Sequence, residues 1–279
     1  MKEKIITGII GYPLSHTLSP LMHNSIFHKY KMNWEYKIFE IKPEDLPAFI
    51  KNMKKENIKG LNVTIPHKQT VMLLLDKIDK AAKTIGAVNT ILNKNGLLIG
   101  YNTDYLGFLK TLKNYKLNLN NKNVVMFGAG GAAHAVAYSI NLMKPASFHI
   151  YNIDISMIQN LIKKLKLKNV IYGDITKTKE KDKILSNSDF IINTTSVGMH
   201  DNSIIYKLPD LKKETVVYDL IYNPVKTEFL KQAEKKGAKI INGLDMLIYQ
   251  GMESFKIWTS KKSDYKLIKK KLNEYFNKK

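Results

Sequence analysis

A glycine-rich turn between an apolar run and a run of small residues constrains the fold of this chain more than any other feature. Residues 128–133 read Gly-Ala-Gly-Gly-Ala-Ala and directly follow Asn123–Phe127, which reads as a strand. A strand, a G-x-G-x-x-A turn and a helix in this order are typical of a dinucleotide-binding fold. Gly128 permits the tight turn, Gly130 lets a pyrophosphate approach the backbone, and the helix N-terminus favours an anion. The simpler alternative is a glycine-rich turn that binds no ligand.

The pattern around this turn predicts an α/β protein with two domains. Strand-like runs alternate with helical patterns through residues 105–243, which indicates a Rossmann-type, doubly wound parallel sheet with right-handed crossovers. Residues 1–104 mix short strands with amphipathic helices and contain an Asn-Gly hairpin signal, so we expect an α/β substrate domain there. The final helical stretch, residues 244–279, is predicted to return to that first domain and to close a cleft between the two.

The second strand of the dinucleotide fold should end near the adenosine ribose, and here it ends in Asn152-Ile153-Asp154. A carboxylate at this place can accept hydrogen bonds from the ribose hydroxyls and would repel the 2′-phosphate of NADP. Asp154 is also well placed to be the N-cap of a helix beginning near Ser156, and it could serve in both ways.

Lys68 is the candidate for proton transfer. It follows Pro66 at a strand-to-helix junction, and Asn62 and Thr64 precede it on one face of a strand. A lysine that is partly shielded from water can accept and return the proton of an alcohol, and Asp104 is the natural partner to hold it. The alternative is a solvated surface lysine, which is what most lysines in this chain should be.

Thr17 and Ser19 lie two residues apart near a predicted helix N-terminus, where hydroxyls and backbone N–H groups can bind a carboxylate. Ser19 as N-cap with Pro20 at the first helical position would explain the same pattern without a ligand.

The formal net charge of +21 invites comparison with nucleic-acid-binding proteins. All 45 basic residues are lysine, however, and the chain contains no arginine, whose planar fork reads guanine edges. The lysines are also scattered rather than gathered in a stripe. We therefore predict no specific nucleic-acid partner, although weak attraction to polyanions follows from the charge.

Several other classes of protein are disfavoured by composition. Cysteine is absent, which removes disulfides and thiolate metal sites, and the histidines form no zinc-protease pair. No apolar run approaches the ~20 residues of a membrane span, and the N-terminus lacks the features of a signal peptide. We expect a cytoplasmic protein with no metal and no membrane partner.

Taken together, these residues make the chain similar to the shikimate dehydrogenase family. The resemblance runs nearly end to end and is carried by eight segments in order: GYPLSHTLSP (11–20), NVTIPHK (62–68), IGAVNT (85–90), YNTD (101–104), GAGGAAHA (128–135), NTTSVGM (193–199), DLIYNPVKTEFL (219–230) and NGLDMLIYQG (242–251).

The resemblance implies an oxidoreductase of aromatic amino-acid biosynthesis that reduces 3-dehydroshikimate to shikimate with NADP. It implies Lys68, steadied by Asp104, as the acid/base group. The substrate-binding residues that it implies are Thr17, Ser19, Thr64, Asn89, Asp104, Tyr222 and Gln250. The cofactor-binding residues that it implies are Gly128, Ala129, Gly130, Gly131, Ala132, Asn152, Ile153, Asp154, Met157, Leu220 and Gly243.

Two departures from the family pattern bear on these expectations. Thr17 stands where the family usually has serine, which keeps the hydroxyl and adds a methyl group. NADP-using members typically follow the second strand with Asn-Arg-Thr, whereas this chain has Asn152-Ile153-Asp154 and could offer only Lys163 or Lys164 from the next helix. NADP is therefore the expected cofactor, with NAD open.

Two alternatives to the leading hypothesis remain. One is a quinate/shikimate dehydrogenase using NAD, and the other is a non-catalytic nucleotide or metabolite sensor on the same fold. Whether the chain is a monomer or a homodimer is also open at this stage.

Overall fold

Two six-stranded sheets form from the residues that the structure, a computed structural model, describes: 3–14, 17–53, 55–176 and 180–278. The chain divides into a first unit, Met1–Gly107 with Leu247–Lys279, and a second unit, Phe108–Met246. Two helices, α4 (Asp104–Asn114) and α9 (Leu244–Thr259), contain the two points of division.

The first unit is built on a mixed sheet. Its strands are β1 (Ile5–Gly11), β2 (Trp34–Glu40), β3 (Ile58–Val63), β4 (Lys77–Ile78), β5 (Thr90–Lys94) and β6 (Leu97–Tyr101). They lie in the order β2-β1-β3-β5-β6-β4, with β1, β2 and β3 parallel and β5 antiparallel to both of its neighbours. The helices of this unit, besides parts of α4 and α9, are α1 (Ser19–Lys29), α2 (Leu46–Met53), α3 (Lys80–Ile85) and α10 (Tyr265–Phe276), with short 3-10 helices at Pro43–Asp45 and Thr70–Leu74.

The predicted hairpin is present between β5 and β6. Asn95 and Gly96 both have positive φ, +54° and +86°, which is the conformation that a two-residue turn between twisted strands requires.

The start of α1 differs from the prediction. The helix begins at Ser19 and its N-cap residue is Leu18, with no side-chain cap hydrogen bond. The prediction that Ser19 is the N-cap is therefore wrong. Pro20 does lie in the first turn, where the lack of an N–H costs nothing.

The second unit contains the predicted parallel sheet. Its strands are β7 (Asn123–Phe127), β8 (Ser147–Asn152), β9 (Val170–Asp174), β10 (Phe190–Asn193), β11 (Val216–Asp219) and β12 (Lys239–Ile241). Every pairing is parallel, and the order β12-β11-β10-β7-β8-β9 places the first strand at the centre. The helices are α5 (Gly131–Leu142), α6 (Ile155–Leu165), α7 (Lys181–Ser186) and α8 (Glu228–Lys235). The prediction of a doubly wound α/β fold is confirmed.

This parallel sheet is buried on both faces, as its apolar strands require. Val124 and Met126 pack in one core with the small residues of α5, whereas Val125 and Phe127 pack in a second core on the other face. The two cores fix the carboxyl ends of β7 and β8, where dinucleotides bind in folds of this type.

No helix in the described part of the chain is long and apolar enough to span a bilayer. Within the same residues no group of three or more histidine, aspartate or glutamate side chains is arranged to hold a metal ion.

Candidate active site

An ion pair between Lys68 and Asp104 is the central feature of the first unit. The Nζ atom of Lys68 donates to Oδ2 of Asp104 at 2.6 Å. The two side chains keep only 15% and 11% of their surface exposed, so water screens the contact far less than it screens a surface pair. The sequence predicted this partnership, and the structure brings the two groups together.

Backbone contacts fix both members of the pair. Lys68 lies in the turn after β3, and its carbonyl accepts from the backbone N–H of Val88 at 2.8 Å. Asp104 is the first residue of α4, and its N–H donates to Oδ1 of Asn102 at 3.1 Å. Neither group therefore depends on the other alone for its position.

The amide side chains of Asn89 and Gln250 lie beside this pair. Asn89 donates through Nδ2 to Oδ1 of Asp104 at 2.8 Å and accepts through Oδ1 from the backbone N–H of Thr103 at 2.6 Å. Gln250 donates through Nε2 to the carbonyl of Leu247 at 3.0 Å, which leaves its Oε1 3.4 Å from Nδ2 of Asn89. Both amide orientations are thereby set by partners that can only donate or only accept.

The hydroxyl groups predicted to bind a carboxylate lie at the start of α1. The Oγ1 atom of Thr17 accepts from the backbone N–H of Ser19 at 3.3 Å. Ser19 is buried and its side chain hydrogen-bonds Tyr36, a residue whose pKa is raised by burial, an effect that this hydrogen bond partly offsets. Residues 15 and 16 of the same segment lie outside the described residues.

Thr64 lies just beyond β3 and is partly buried. Its backbone N–H donates to the carbonyl of Ile10 at 2.9 Å, so it continues the alignment of the sheet. A Cβ on Gly11 would lie 2.5 Å from Cγ2 of Thr64, so the side chain of Thr64 can occupy this position only because residue 11 is glycine.

In the second unit the glycine turn has the geometry that its sequence predicts. Gly128 has φ of +103°, and a Cβ there would lie 2.5 Å from Oγ1 of Thr194. Gly130 caps α5, and a Cβ there would meet nothing within 4 Å. Ala133 in the first turn of α5 is fully buried, and its small side chain lets the helix pack closely against the sheet. The turn therefore presents open space and free helix N–H groups to an anion.

The segment after β8 is held by its own side chains. Asp154 is the N-cap of α6 and accepts through Oδ1 from the N–H of Ser156 at 2.8 Å and from its hydroxyl at 2.6 Å. These hydrogen bonds lower the pKa of Asp154, which keeps the exposed carboxylate charged. Asn152 donates to the carbonyl of Asp154 at 2.9 Å. Ile153 and Met157 are exposed beside them.

The alternative interpretation of Asp154 as a helix cap is thus confirmed, and the backbone N–H of Met157 also donates to this carboxylate. Lys163 and Lys164 lie in the last turn of α6, at the opposite end from Asp154. At a rise of about 1.5 Å per residue they begin roughly 12 Å further along the helix axis.

Leu220, Tyr222 and Gly243 lie around the loop between β11 and α8. A Cβ on Gly243 would lie 1.8 Å from the carbonyl oxygen of Leu220, so only glycine allows this approach. The N–H of Gly243 donates to the carbonyl of Ile221 at 3.0 Å. Tyr222 is partly buried in the same loop.

A buried carboxylate that the sequence did not single out fastens this loop. Asp219 accepts from the hydroxyl of Thr227 at 2.7 Å, from the N–H of Ile221 at 3.1 Å and from Nδ2 of Asn193 at 3.1 Å. Burial raises the pKa of Asp219 to about 6 although these hydrogen bonds oppose the change.

Comparison with known proteins associates both ends of the chain with one family. The family described as shikimate dehydrogenase substrate binding domain matches residues 9–91, and that described as shikimate 5′-dehydrogenase C-terminal domain matches residues 243–272. The first match contains Lys68 and Asn89, and the second contains Gln250.

Relatives match over nearly the whole chain. A shikimate dehydrogenase (NADP(+)) of Methanococcus maripaludis strain C7 is 44% identical over 280 residues, 98% of this chain and 97% of the relative. The crystal structure of shikimate 5-dehydrogenase from Listeria monocytogenes in complex with shikimate and NAD has a TM-score of 0.89 at 32% identity, covering 96% of each chain. A shikimate dehydrogenase in complex with NADP+ has a TM-score of 0.89 at 39% identity, covering 98% of this chain and 96% of that one.

Proposed function

The chain belongs to the shikimate dehydrogenase family, and we propose that it catalyses the reversible, NADP-linked reduction of 3-dehydroshikimate to shikimate. The observation that carries the proposal is the shielded ion pair of Lys68 and Asp104 with the amide of Asn89 beside it. A protein that only binds a metabolite has no need of such a proton-transfer group, so the pair favours an enzyme over a sensor.

In the proposed reaction Lys68 supplies the proton. The carbonyl carbon of 3-dehydroshikimate gains a hydride and the carbonyl oxygen gains a proton from the Lys68 ammonium group, which leaves a neutral amine. In the reverse direction the neutral amine accepts the hydroxyl proton. Asp104 holds the lysine at 2.6 Å, and the exposed part of the lysine lets solvent restore the proton.

We assign substrate binding to the polar groups of the first unit. Thr17 and Ser19 would bind the carboxylate through hydroxyl and N–H groups. Thr64, Asn89 and Gln250 would bind the ring hydroxyls, with the Oε1 atom of Gln250 as an acceptor because its Nε2 is engaged with Leu247. Asp104 would share this role, and the family resemblance adds Tyr222 of the second unit.

The glycine turn of the second unit fits a dinucleotide. We propose that residues 128–132 bind the pyrophosphate, because Gly130 leaves open space before the N-terminus of α5. Residues 152–154 with Met157 would bind the adenosine, and Leu220 with Gly243 the nicotinamide. When bound, the cofactor supplies or accepts the hydride.

NADP is the proposed cofactor because the curated relative that matches this chain over its length is an NADP(+) enzyme. NAD is the second candidate, since Asp154 carries a charge at the adenosine end and no arginine is present in the chain. A carboxylate there would accept hydrogen bonds from the 2′-hydroxyl of NAD.

The proposed partners are small molecules, and the proposed location is the cytoplasm, in keeping with a biosynthetic family. The net charge of +21 consists of lysine alone, so we expect only weak attraction to nucleic acid. Such attraction should fall steeply with salt and show no sequence preference.

Product identification tests the proposed function. The purified protein would be incubated with shikimate and either NADP or NAD, and the product analysed by mass spectrometry. The proposal predicts an oxidised acid that is lighter than shikimate by two hydrogen atoms, with reduced nicotinamide formed in equal amount. Folded protein that yields neither product with either dinucleotide would support the sensor alternative instead.

A further inference from the structure

The hydroxyl of Ser254 lies at the centre of a buried polar network in the first unit. Ser254 is in α9 and is fully buried. Its Oγ lies within hydrogen-bond distance of four groups: Nδ2 of Asn62 at 2.9 Å, Oγ1 of Thr90 at 2.8 Å, Oγ1 of Thr103 at 3.2 Å and the carbonyl of Gln250 at 3.1 Å. Ser254 is not among the residues assigned above to substrate binding, cofactor binding or proton transfer, so those roles do not account for its four polar contacts.

On one side the network reaches the amide of Asn89. The hydroxyls of Thr90 and Thr103 each lie 3.2 Å from Oδ1 of Asn89. Nδ2 of Asn89 in turn donates to Asp104 and lies close to Oε1 of Gln250. Ser254 is therefore one hydroxyl away from the groups that would hold the substrate ring.

On the other side the network reaches the group that would hold the carboxylate. The Oδ1 atom of Asn62 accepts from the hydroxyl of Tyr36 at 2.8 Å, and Tyr36 hydrogen-bonds Ser19. The ring of Tyr36 is stacked on His23, with centroids 4.4 Å apart and planes 8° apart, so it has little freedom to move.

The hydroxyl of Ser254 can donate only one hydrogen bond and accept two, and this limit links the two parts of the network. A serine hydroxyl has one proton and two lone pairs. Asn62 must donate to it, because the same Nδ2 also faces the carbonyl of Asn89. Ser254 donates its one proton, for which the carbonyl of Gln250 competes with the two threonine hydroxyls, and it has one lone pair left to accept from a threonine. Its hydroxyl therefore restricts how the protons of Thr90 and Thr103 are arranged beside Oδ1 of Asn89.

We propose that Ser254 is a positioning residue for the substrate, coupling the side chains that would bind the carboxylate to those that would bind the ring hydroxyls. It acts on ground-state affinity and not on proton transfer, since Lys68 and Asp104 hold each other directly and are fixed by their own backbone contacts. This inference rests on the proposed function.

The test compares Ser254→Ala and Ser254→Cys with a matched control, Ser139→Ala. Cysteine restores most of the volume but is a weak hydrogen-bonding group, so it separates packing from hydrogen bonding. Ser139 is equally buried, lies in α5, and donates to the carbonyl four residues earlier at 2.8 Å, so its loss removes the same kind of contact outside the network.

Initial rates would be measured with shikimate and with NADP varied separately. We expect both Ser254 variants to raise the KM for shikimate by about three- to tenfold, the range of one net hydrogen bond. We expect kcat and the KM for NADP to stay within about twofold, and Ser139→Ala to leave the KM for shikimate unchanged. Should the alanine variant fail to fold, the cysteine variant decides alone.

A KM for shikimate that rises by less than threefold in Ser254→Cys would overturn the proposal, and so would a fall in kcat as large as the rise in KM. A wild-type chain that does not oxidise shikimate at all refutes the proposed function itself, so the two failures are distinguishable.

Discussion

Replacing Asp104 by asparagine tests the proton-transfer pair with the smallest possible change of shape. The two carboxylate oxygens of Asp104 each accept a hydrogen bond, one from Lys68 at 2.6 Å and one from Asn89 at 2.8 Å. An asparagine side chain has one acceptor oxygen and one NH2 group. In either orientation, an NH2 group would face a donor, so one of the two hydrogen bonds must be lost.

The size of the effect follows from the bond that is lost. The asparagine oxygen can accept from only one of the two donors, the Lys68 ammonium group or Nδ2 of Asn89. The new NH2 group then faces the remaining donor. A hydrogen bond to a charged group contributes about 1.5–3 kcal/mol, which corresponds to a loss of roughly 10- to 10²-fold in kcat/KM. Because Asn89 and Lys68 share the same carboxylate, both kcat and the affinity for shikimate should fall.

Steady-state kinetics with shikimate and NADP would measure this effect. Asp79→Asn is a suitable control, because Asp79 caps α3 by accepting from the N–H of Ala81 at 2.9 Å, a role that asparagine can also fill. If Asp104→Asn retained wild-type kcat and KM, the pairing of Asp104 with Lys68 would have no part in the reaction.

Three further predictions follow from named side chains. Lys68→Ala should reduce kcat by roughly 10²–10⁴-fold, measured as the rate of NADP reduction, while thermal unfolding stays near that of the wild type. Ile153→Arg should shift the ratio of dissociation constants toward NADP by about tenfold, measured by nucleotide fluorescence titration, because the side chain is 71% exposed and a guanidinium there could meet a 2′-phosphate. Asp219→Asn should remove a pH dependence of stability. Because the pKa of Asp219 is raised from 3.8 to about 6, its stabilising contribution is full below pH 3.8 and is lost as the pH rises through 6.

Each of these has a clear contrary result. Near-normal turnover in Lys68→Ala would remove Lys68 from the mechanism, and an unchanged NADP preference in Ile153→Arg would show that the adenosine binds elsewhere. For Asp219, the wild type should lose on the order of 3 kcal/mol relative to the variant between pH 4 and pH 7 in urea unfolding. A constant difference over that range would contradict the assigned cause.

The second unit was largely predictable from sequence because its signals are local. The Gly128 turn, the apolar strands and the small residues of α5 lie next to one another in the chain, and each has one common structural meaning. The predicted strand Asn123–Phe127 has the same bounds as β7, since a buried parallel strand reads as a continuous apolar run.

The first unit was less predictable because its polar interior depends on distant contacts. Ser254 meets Asn62 from 192 positions later in the chain, and nothing in the sequence of α9 distinguishes this serine from an exposed one. Thr90 and Thr103 likewise read as ordinary strand and cap residues. Gln250 and Tyr222 entered only through the family resemblance, for the same reason.

Asp154 shows a different limit of sequence analysis. The sequence favoured both a ribose contact and a helix cap, and the structure shows the cap, with Ser156 donating twice to one carboxylate oxygen. The cap does not neutralise the charge, because its hydrogen bonds lower the pKa of Asp154. Discrimination between NADP and NAD therefore depends on the electrostatics of a cofactor-bound state, which local sequence does not specify.

Shikimate oxidation is tested most directly by the initial rate of nicotinamide reduction, followed by ultraviolet absorbance, with shikimate or quinate and with NADP or NAD. We expect turnover of shikimate with NADP, slower turnover of quinate, and no turnover of shikimate by Lys68→Ala above roughly a hundredth of the wild-type rate. Folded wild-type protein that oxidises quinate faster than shikimate, or that oxidises neither, would contradict this expectation.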